Sequence, residues 1–415
     1  MPTDPSSFLF RRFPALTHRD FRLLWLGQMV SIAGSQMQNV AIFYQIDALT
    51  HSKTMLALVG LVGFVPIVVF ALIGGVVADA RNRRGIMFIT QSLMMAGAVG
   101  LGVVTLVGNG SLDPWTHSWI ILGLTGITAA AAAFDNPARQ ALIPNLVPPE
   151  HLPNAVSLNT TMFQAGMIIG PALAGVLIGQ LGVEGVYWAN AATFLAVIAA
   201  LLLMRVVEQH TDQRPQITIA AMTEGLKFVR RARMIYSTML LDFFATFFSS
   251  ATALLPVFAR EVLHVGPEEL GILYAAEAVG SLLAGVAISS LGEIRRKGWV
   301  LLWSVAAYGA ATAIYGFSQD FWLSLLMLGL VGVGDSISTV LRVSIRQLFT
   351  PDHIRGRMTS VNMIFFMGGP QLGNMEAGLL AAAVGAPMSV VIGGIATVML
   401  VAFTAWRFPE LREYD

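Results

Sequence analysis

Apolar residues run along this chain in long blocks broken by short polar stretches. A helix that crosses a bilayer needs about 20 mostly apolar residues. By that measure the pattern predicts twelve spans, at 22–47, 54–78, 86–108, 117–140, 156–181, 186–205, 234–262, 269–292, 298–317, 321–346, 358–383 and 386–407. Tilt or protruding ends absorb the surplus length of the longer blocks. The one long polar gap falls between the sixth and seventh spans, so the predicted organisation is a six-helix half (1–205), a linker (206–233) and a second six-helix half (234–415). Within the linker, Ile219, Met222, Leu226 and Val229 fall near one helical face, with Lys227, Arg230 and Arg231 around the rest. That pattern predicts an amphipathic surface helix over 218–233. The fold class expected is an all-α membrane protein.

Composition agrees with the pattern. Only 12% of the 415 residues are charged and 55% are apolar, whereas soluble domains carry roughly 25% charged residues. The distribution of Lys and Arg then gives a topology. With twelve spans, 23 of the 25 basic residues share one face, and only Lys53 and Arg260 fall on the other. The basic face is cytoplasmic by the positive-inside rule, and both termini lie on it. The basic N-terminus before an apolar block resembles the start of a signal peptide. The block is too long for that and no small-x-small cleavage site follows, so it reads as an uncleaved first span.

The chain has no cysteine, its seven histidines form no metal-ligating spacing, and it has no phosphate-binding G-x-x-x-x-G-K-[ST] loop. No metal, no cofactor, no nucleic-acid partner and no enzymatic activity are expected.

The two halves repeat weakly. Pro149-Glu150-His151-Leu152 precedes Ser157-Leu158-Asn159 in the first, and Pro351-Asp352-His353-Ile354 precedes Ser360-Val361-Asn362 in the second. Downstream, Gly166, Gly170 and Ala174 are matched by Gly369, Gly373 and Ala377, and Pro171 by Pro370. Small residues every four positions let helix backbones approach closely, and duplicated halves are a recurrent transporter architecture.

These features resemble the major facilitator superfamily, and the similarity covers essentially the whole chain. The loop Gly75-Val76-Val77-Ala78-Asp79-Ala80-Arg81-Asn82-Arg83-Arg84 is similar to the superfamily signature G-x-x-x-D-R-x-G-R-R, departing from it at Ala80 and Asn82. The resemblance implies a gating role for Gly75, Asp79, Arg83 and Arg84. The segment Gly166-x-x-x-Gly170-Pro171-x-x-Ala174-Gly175 resembles the fifth-span motif of drug/proton antiporters. Tight packing follows from Gly166, Gly170, Pro171 and Gly175 themselves; sealing of a leak path is implied by resemblance. Asn136-Pro137-Ala138-Arg139-Gln140-Ala141-Leu142-Ile143-Pro144 looks like the branch that holds macrolide efflux proteins and enterobactin exporters. Asp135 and Arg139, four apart, predict a salt bridge at a helix end.

Polar residues within spans point to chemistry. Ser31, Ser35, Gln38 and Gln45 share one face of the first span, and Asp242, Thr246 and Ser249 one face of the seventh. Lipid penalises such faces, so each is expected to line a wet cavity or to meet another helix. Four acids, Asp242, Glu277, Asp335 and Glu376, lie inside spans and are the proton-coupling candidates. Asp242 fits best, because its stripe supplies the cavity, while Asp335 shares a face with Thr339, Arg342 and Arg346 and so fits a charge network.

The function expected is a secondary active exporter of an amphipathic small molecule, of the drug, macrolide or siderophore class. It would work by alternating access in exchange for protons, in the cell's inner membrane, as a monomer. An importer, a uniporter or a lysophospholipid flippase on the same fold remain open at this point, as does a non-transporting receptor.

Overall fold

The computed structural model describes residues 13–205, 227–230, 232–250, 252–291, 295–350 and 355–414. Most of the helix expected over 218–233 lies outside them. Eleven long helices follow one another: α1 (Arg19–Thr50), α2 (Lys53–Ala80), α3 (Arg83–Gly108), α4 (Pro114–Leu142), α5 (Leu152–Leu203), α6 (Arg233–Phe248), α7 (Pro267–Leu291), α8 (Lys297–Phe317), α9 (Phe321–Phe349), α10 (Arg355–Val384) and α11 (Ala386–Arg407). Short turns continue α6 to Leu263, ending in a π-helical turn at Phe258–Leu263. No strand occurs among the described residues. Nine stretches of these residues are long and apolar enough to cross a membrane. Large apolar side chains such as Trp303, Trp322 and Trp406 stand outward, 68%, 71% and 74% exposed, as a lipid-facing surface requires.

Local sequence sets where helices start and stop. Asp113 caps α4 by accepting from Trp115 N and Thr116 N, with Pro114 in the first turn. Asp320 caps α9 by accepting from Leu323 N at 2.8 Å. Two glycines make the joints that the apolar pattern only implies. Gly182 (φ +75°) breaks α5 into two helices, and Gly385 (φ +88°) separates α10 from α11. Any other residue would be strained there. The two joints occupy the same place in the two predicted halves, between the fifth and sixth spans and between the eleventh and twelfth.

Contacts divide the chain into two compact units. One comprises 1–42 and 68–216, the other 43–67 and 217–415. The boundaries cut through α1 and α2, so the hairpin end of these helices is counted with the second unit.

In the first unit, Phe21, Leu24, Met87, Ala138, Leu142, Leu158, Val197 and Leu201 form a buried layer drawn from α1, α3, α4 and α5. Gly166 packs against Ile32 and Ala33, and Gly170 against the Ala33 carbonyl and Gln36 Cβ, so α5 lies tight on α1. In the second unit, Gly369 meets Thr246, and Gly373 meets the Phe247 carbonyl and Ser250 Cβ, so α10 lies tight on α6. The repeated glycines thus make the same kind of helix seam in each unit.

The chain before α1 is tied down at a histidine pair. His18 Nε2 and His151 Nδ1 are 2.8 Å apart, and the backbone N–H of Ala15 donates to Asn154 Oδ1 at 3.1 Å. Burial holds His18 below the ordinary histidine value of 6.5; a positive His151 lowers it further, and Glu150 opposes. Because the folded state prefers neutral His18, the stability it contributes is complete above about pH 6.5, the unfolded value, and is lost as the pH falls from there through the lower folded value. Acidification from about pH 8 to about pH 5 is therefore expected to speed amide exchange over 14–22, corrected for the intrinsic rate. His18→Gln should remove that dependence. Equal protection at both pH values would rule the linkage out.

Candidate functional site

Two intramembrane acids of the second unit, Asp242 and Asp335, gather around one arginine. Arg342, on α9, is held along its own helix by Ser338 and Thr339. Its Nη1 donates to Ser338 Oγ at 2.8 Å and its Nη2 to Thr339 Oγ1 at 2.7 Å. These partners lie four and three residues back, the spacing that places side chains on one helical face. The guanidinium is thereby aimed across to α6, where Nη2 meets Asp242 Oδ1 at 2.8 Å. Asp335, two turns back along α9, is 3.8 Å from the same nitrogen. Arg342 and Asp242 are nearly sealed, at 5% and 7% side-chain exposure, whereas Asp335 is 37% exposed.

Glu277 joins from α7. Gly332 packs directly on the Glu277 backbone, Gly280 on Gly329, and Ser281 Oγ donates to the Gly332 carbonyl at 3.0 Å, closing the α7–α9 seam. Gly334 packs on Tyr308 of α8, with Tyr308 Cβ 3.0 Å from where a Cβ would stand. Asp335 therefore sits where α7, α8 and α9 converge, and its charge acts on Glu277. Tyr308 feels Glu277, Asp335, Asp242 and Arg342 together. Arg346 donates to Asn362 Oδ1 and feels both Asp242 and Arg342.

With every group ionised, three acids (Asp242, Glu277, Asp335) face two cations (Arg342, Arg346), leaving one negative charge in excess. Lone charge in a low-dielectric interior is costly, and one proton cancels it. Asp242 is the acid most fully compensated by hydrogen-bonded Arg342. Glu277 and Asp335 have no such hydrogen-bonded cation among the described residues.

The other residues singled out from sequence are placed as follows. Glu376 lies apart on α10, with no ion pair among the described residues. Thr246 donates to its own helix at the Asp242 carbonyl, 2.9 Å, and Ser249 Oγ pairs with Thr397 Oγ1 at 2.7 Å, so both serve helix contacts. Around them Phe243 stacks on Phe247 and meets Phe365 edge-on. On α1, Ser31, Gln38 and Gln45 are buried, Ser35 donates to the Ser31 carbonyl, and Gln38 accepts from Asn190 of α5 at 2.7 Å. The surroundings of Gly75 and the side chain of Asp79 lie outside what the structure describes. Arg83 donates to the Ala141 carbonyl and Asn145 Oδ1, both at 2.8 Å, and Arg84 to the Leu202 carbonyl at 3.3 Å. They tie the start of α3 to the ends of α4 and α5. Asn82, one of the two departures from the signature, caps α3 by accepting from Gly85 N at 3.2 Å. Pro171 and Gly175 are buried within α5. Asp135 and Arg139 pair at 3.8 Å.

Two features escaped sequence reasoning. Arg342 looked like part of a structural network and not like the centre of the site. The two basic residues set apart by topology, Lys53 and Arg260, meet in one ion cluster. Arg260 grips the 4%-exposed Asp47 side chain with two hydrogen bonds of 2.9 Å, Nε to Oδ2 and Nη2 to Oδ1. Glu261 bridges Arg260 at 3.1 Å and Lys53 at 3.4 Å. That each stood alone on the sparse side was the available signal. Beside them, Gly378 packs on Ala57 and the Lys53 carbonyl, and Gly60 on the Gln371 carbonyl, fixing the hairpin end of α1 and α2 in the second unit.

Comparison with known proteins agrees with this architecture. The family model described as transmembrane secretion effector, of the major facilitator type, matches residues 11–415. The enterobactin exporter EntS of Salmonella choleraesuis is 26% identical over 406 residues, spanning 96% of this chain and 94% of that protein. EntS of Citrobacter koseri is 25% identical over 405 residues, with the same coverage. A bacterial homologue of the lysosomal transporter Spinster superposes with a TM-score of 0.72 at 17% identity, over 95% of this chain and 98% of that one. A POT family transporter bound to 5-aminolevulinic acid gives 0.74 at 12% identity, over 95% and 97%. Fold, helix content and full-length family match coincide, and the chain belongs to the transmembrane secretion effector family of major facilitator transporters.

Proposed function

We propose that this chain is a secondary active efflux transporter that exports an amphipathic small molecule in exchange for protons. The observation that carries the exchange is the group of Asp242, Asp335 and Glu277 with Arg342 and Arg346, three acids against two cations, whose one excess negative charge a single proton neutralises. Proton and substrate must each bias the same equilibrium between inward- and outward-accessible states. A proton on Asp335 loosens its hold on Arg342, and one on Glu277 relieves its repulsion with Asp335; either changes how α6, α7 and α9 pack. Alternating access by the two six-helix halves, twelve spans, cytoplasmic termini and an inner-membrane location complete the reading. Glu376, the fourth candidate acid, has no arginine within its reach among the described residues and ranks below the other three. The gating residues Gly75, Asp79, Arg83 and Arg84 would stabilise one closed state. The names of the relatives favour a siderophore among the amphipathic candidates.

The test is flux in vesicles. Purified full-length protein is reconstituted, a pH gradient is imposed, and uptake of radiolabelled iron-free enterobactin and of ethidium is followed. Gradient-driven accumulation of either probe, abolished by a protonophore, is expected. Accumulation that ignores the protonophore would overturn proton exchange, and no protein-dependent flux of either probe would overturn efflux of this substrate class.

A further inference from the structure

The first unit holds a buried acid outside the exchange site. Asp135, on α4, is 5% exposed. Its Oδ1 accepts from Thr90 Oγ1 at 2.8 Å and from Gln91 Nε2 at 3.0 Å, both on α3. Among the described residues, its Oδ2 is paired only with Arg139 Nε, at 3.8 Å, beyond hydrogen-bond reach. Arg139 instead turns Nη2 to Asn136 Oδ1, and its Nε is buried with no acceptor. The salt bridge that the four-residue spacing predicts is therefore loose, and the acid's close partners come from a neighbouring helix.

Two more buried polar atoms lack partners: Gln91 Oε1 and Gln28 Nε2. Leu24 of α1, Met87 of α3 and Ala138 of α4 belong to one packed apolar layer. Gln28 lies one turn beyond Leu24, Gln91 one turn beyond Met87, and Asp135 three residues before Ala138. Helical periodicity places the three in the adjoining layer of the same bundle. This layer thus contains two unmatched donors, one unmatched acceptor and a carboxylate with an idle oxygen. Buried polar groups are rarely left unpaired, and such an inventory suits water together with a hydrogen that comes and goes.

We propose that Asp135 is a proton-binding site in the first unit, separate from the arginine-centred group of the second. A hydronium ion transfers its proton to a lone pair of Asp135 Oδ2, forming the O–H bond and leaving a water among Gln28, Gln91 and Arg139. Release reverses the transfer. Attraction to Arg139 favours the charged carboxylate, and burial of both ions opposes it, so neither form is locked in. Arg139 is the one charged group facing the acid among the described residues. Thr90 and Gln91 of α3 and Gln28 of α1 are neutral, and Arg83 is engaged by Ala141 and Asn145. α2 packs on α4 through Gly74 at Ala133, and the side chain of its Asp79 lies outside the described residues. The site deepens the exchange reading by adding a second carboxylate, but its protonation is measurable without transport.

The experiment is infrared difference spectroscopy of the purified full-length protein titrated from neutral to acidic pH. A protonated-carboxyl C=O band that shifts in heavy water is expected, absent in Asp135→Asn and retained in the triple variant Asp242→Asn, Glu277→Gln, Asp335→Asn. Gln91→Leu, which removes one donor to Oδ1, should keep the band and move its midpoint by about one pH unit, a tenfold change in proton affinity. This variant serves if Asp135→Asn does not fold. A spectrum unchanged by Asp135→Asn, or a midpoint unmoved by Gln91→Leu, would overturn the proposal. Flux in the same preparations separates the two readings. Proton-driven efflux with no Asp135 band sinks this inference alone, and an Asp135 band without proton-driven efflux sinks the exchange reading alone.

Discussion

Replacing Arg342 by Met is expected to lower pH-gradient-driven efflux about 100-fold. The side chain is 5% exposed and neutralises Asp242 at 2.8 Å and, less closely, Asp335 at 3.8 Å. Removing one partner of a buried ion pair costs roughly 3–5 kcal/mol, and each ~1.4 kcal/mol felt by one transport state and not the other is a factor of ten. Without Arg342, Asp242 is left a buried carboxylate with no hydrogen-bonded cation, and the charge balance of the group is lost. Loss of folding is distinguished by a double-mutant cycle on thermal stability in detergent. Arg342→Met and Asp242→Asn should each destabilise, and the pair together should cost less than the sum, because neither partner is then left alone. Additive stabilities, or an Arg342→Met protein that still exchanges protons for substrate at the wild-type rate, would show that the ion pair is not the centre of the site.

Gly332→Ala should have the largest effect on stability. A methyl group there collides with the backbone carbonyl of Glu277, and one at Gly280 with that of Gly329. Backbone cannot rotate out of the way as a side chain can, so α7 and α9 must separate. Overpacking of this kind typically costs about 1–3 kcal/mol, occasionally more. The separation also carries Glu277 away from Asp335 and Arg342, so transport should fall together with stability. Gly285→Ala on α7, the partner helix of this seam, is the control, since a Cβ there meets nothing within 4 Å. Its melting temperature should match the parent's, while that of Gly332→Ala falls by several degrees in the same detergent. Equal melting of both variants would refute the close seam.

Much of this was legible in the sequence because the bilayer imposes length and polarity. Long apolar blocks gave α2 to α5 and α7 to α9 to within a few residues. The glycine spacing of Gly166–Gly170 and Gly369–Gly373 marked α5 and α10 as closely packed helices, without naming α1 and α6 as their partners. What the sequence withheld is what depends on which helix faces which. Asp242 and Arg342 lie on different helices, and no local pattern pairs them. Asp135 illustrates the same limit. Periodicity assigned it to Arg139 on its own helix, while the hydrogen bonds that fix it come from Thr90 and Gln91 on α3. The division of α1 and α2 between the two units was equally hidden, because an uninterrupted apolar run carries no mark of where one set of neighbours ends and another begins.

The cluster of Asp47, Lys53, Arg260 and Glu261 has an electrical consequence. Two acids and two bases sum to zero. Carrying one elementary charge through the full membrane potential involves about 2.3 kcal/mol per 100 mV, but a set of four that shifts as one body involves almost none. In the proposed alternating-access cycle, movement of this cluster as one body therefore adds almost nothing to the dependence on the cell's voltage. Any voltage dependence of the cycle then arises from charges elsewhere, with the buried acids and their protons the foremost candidates.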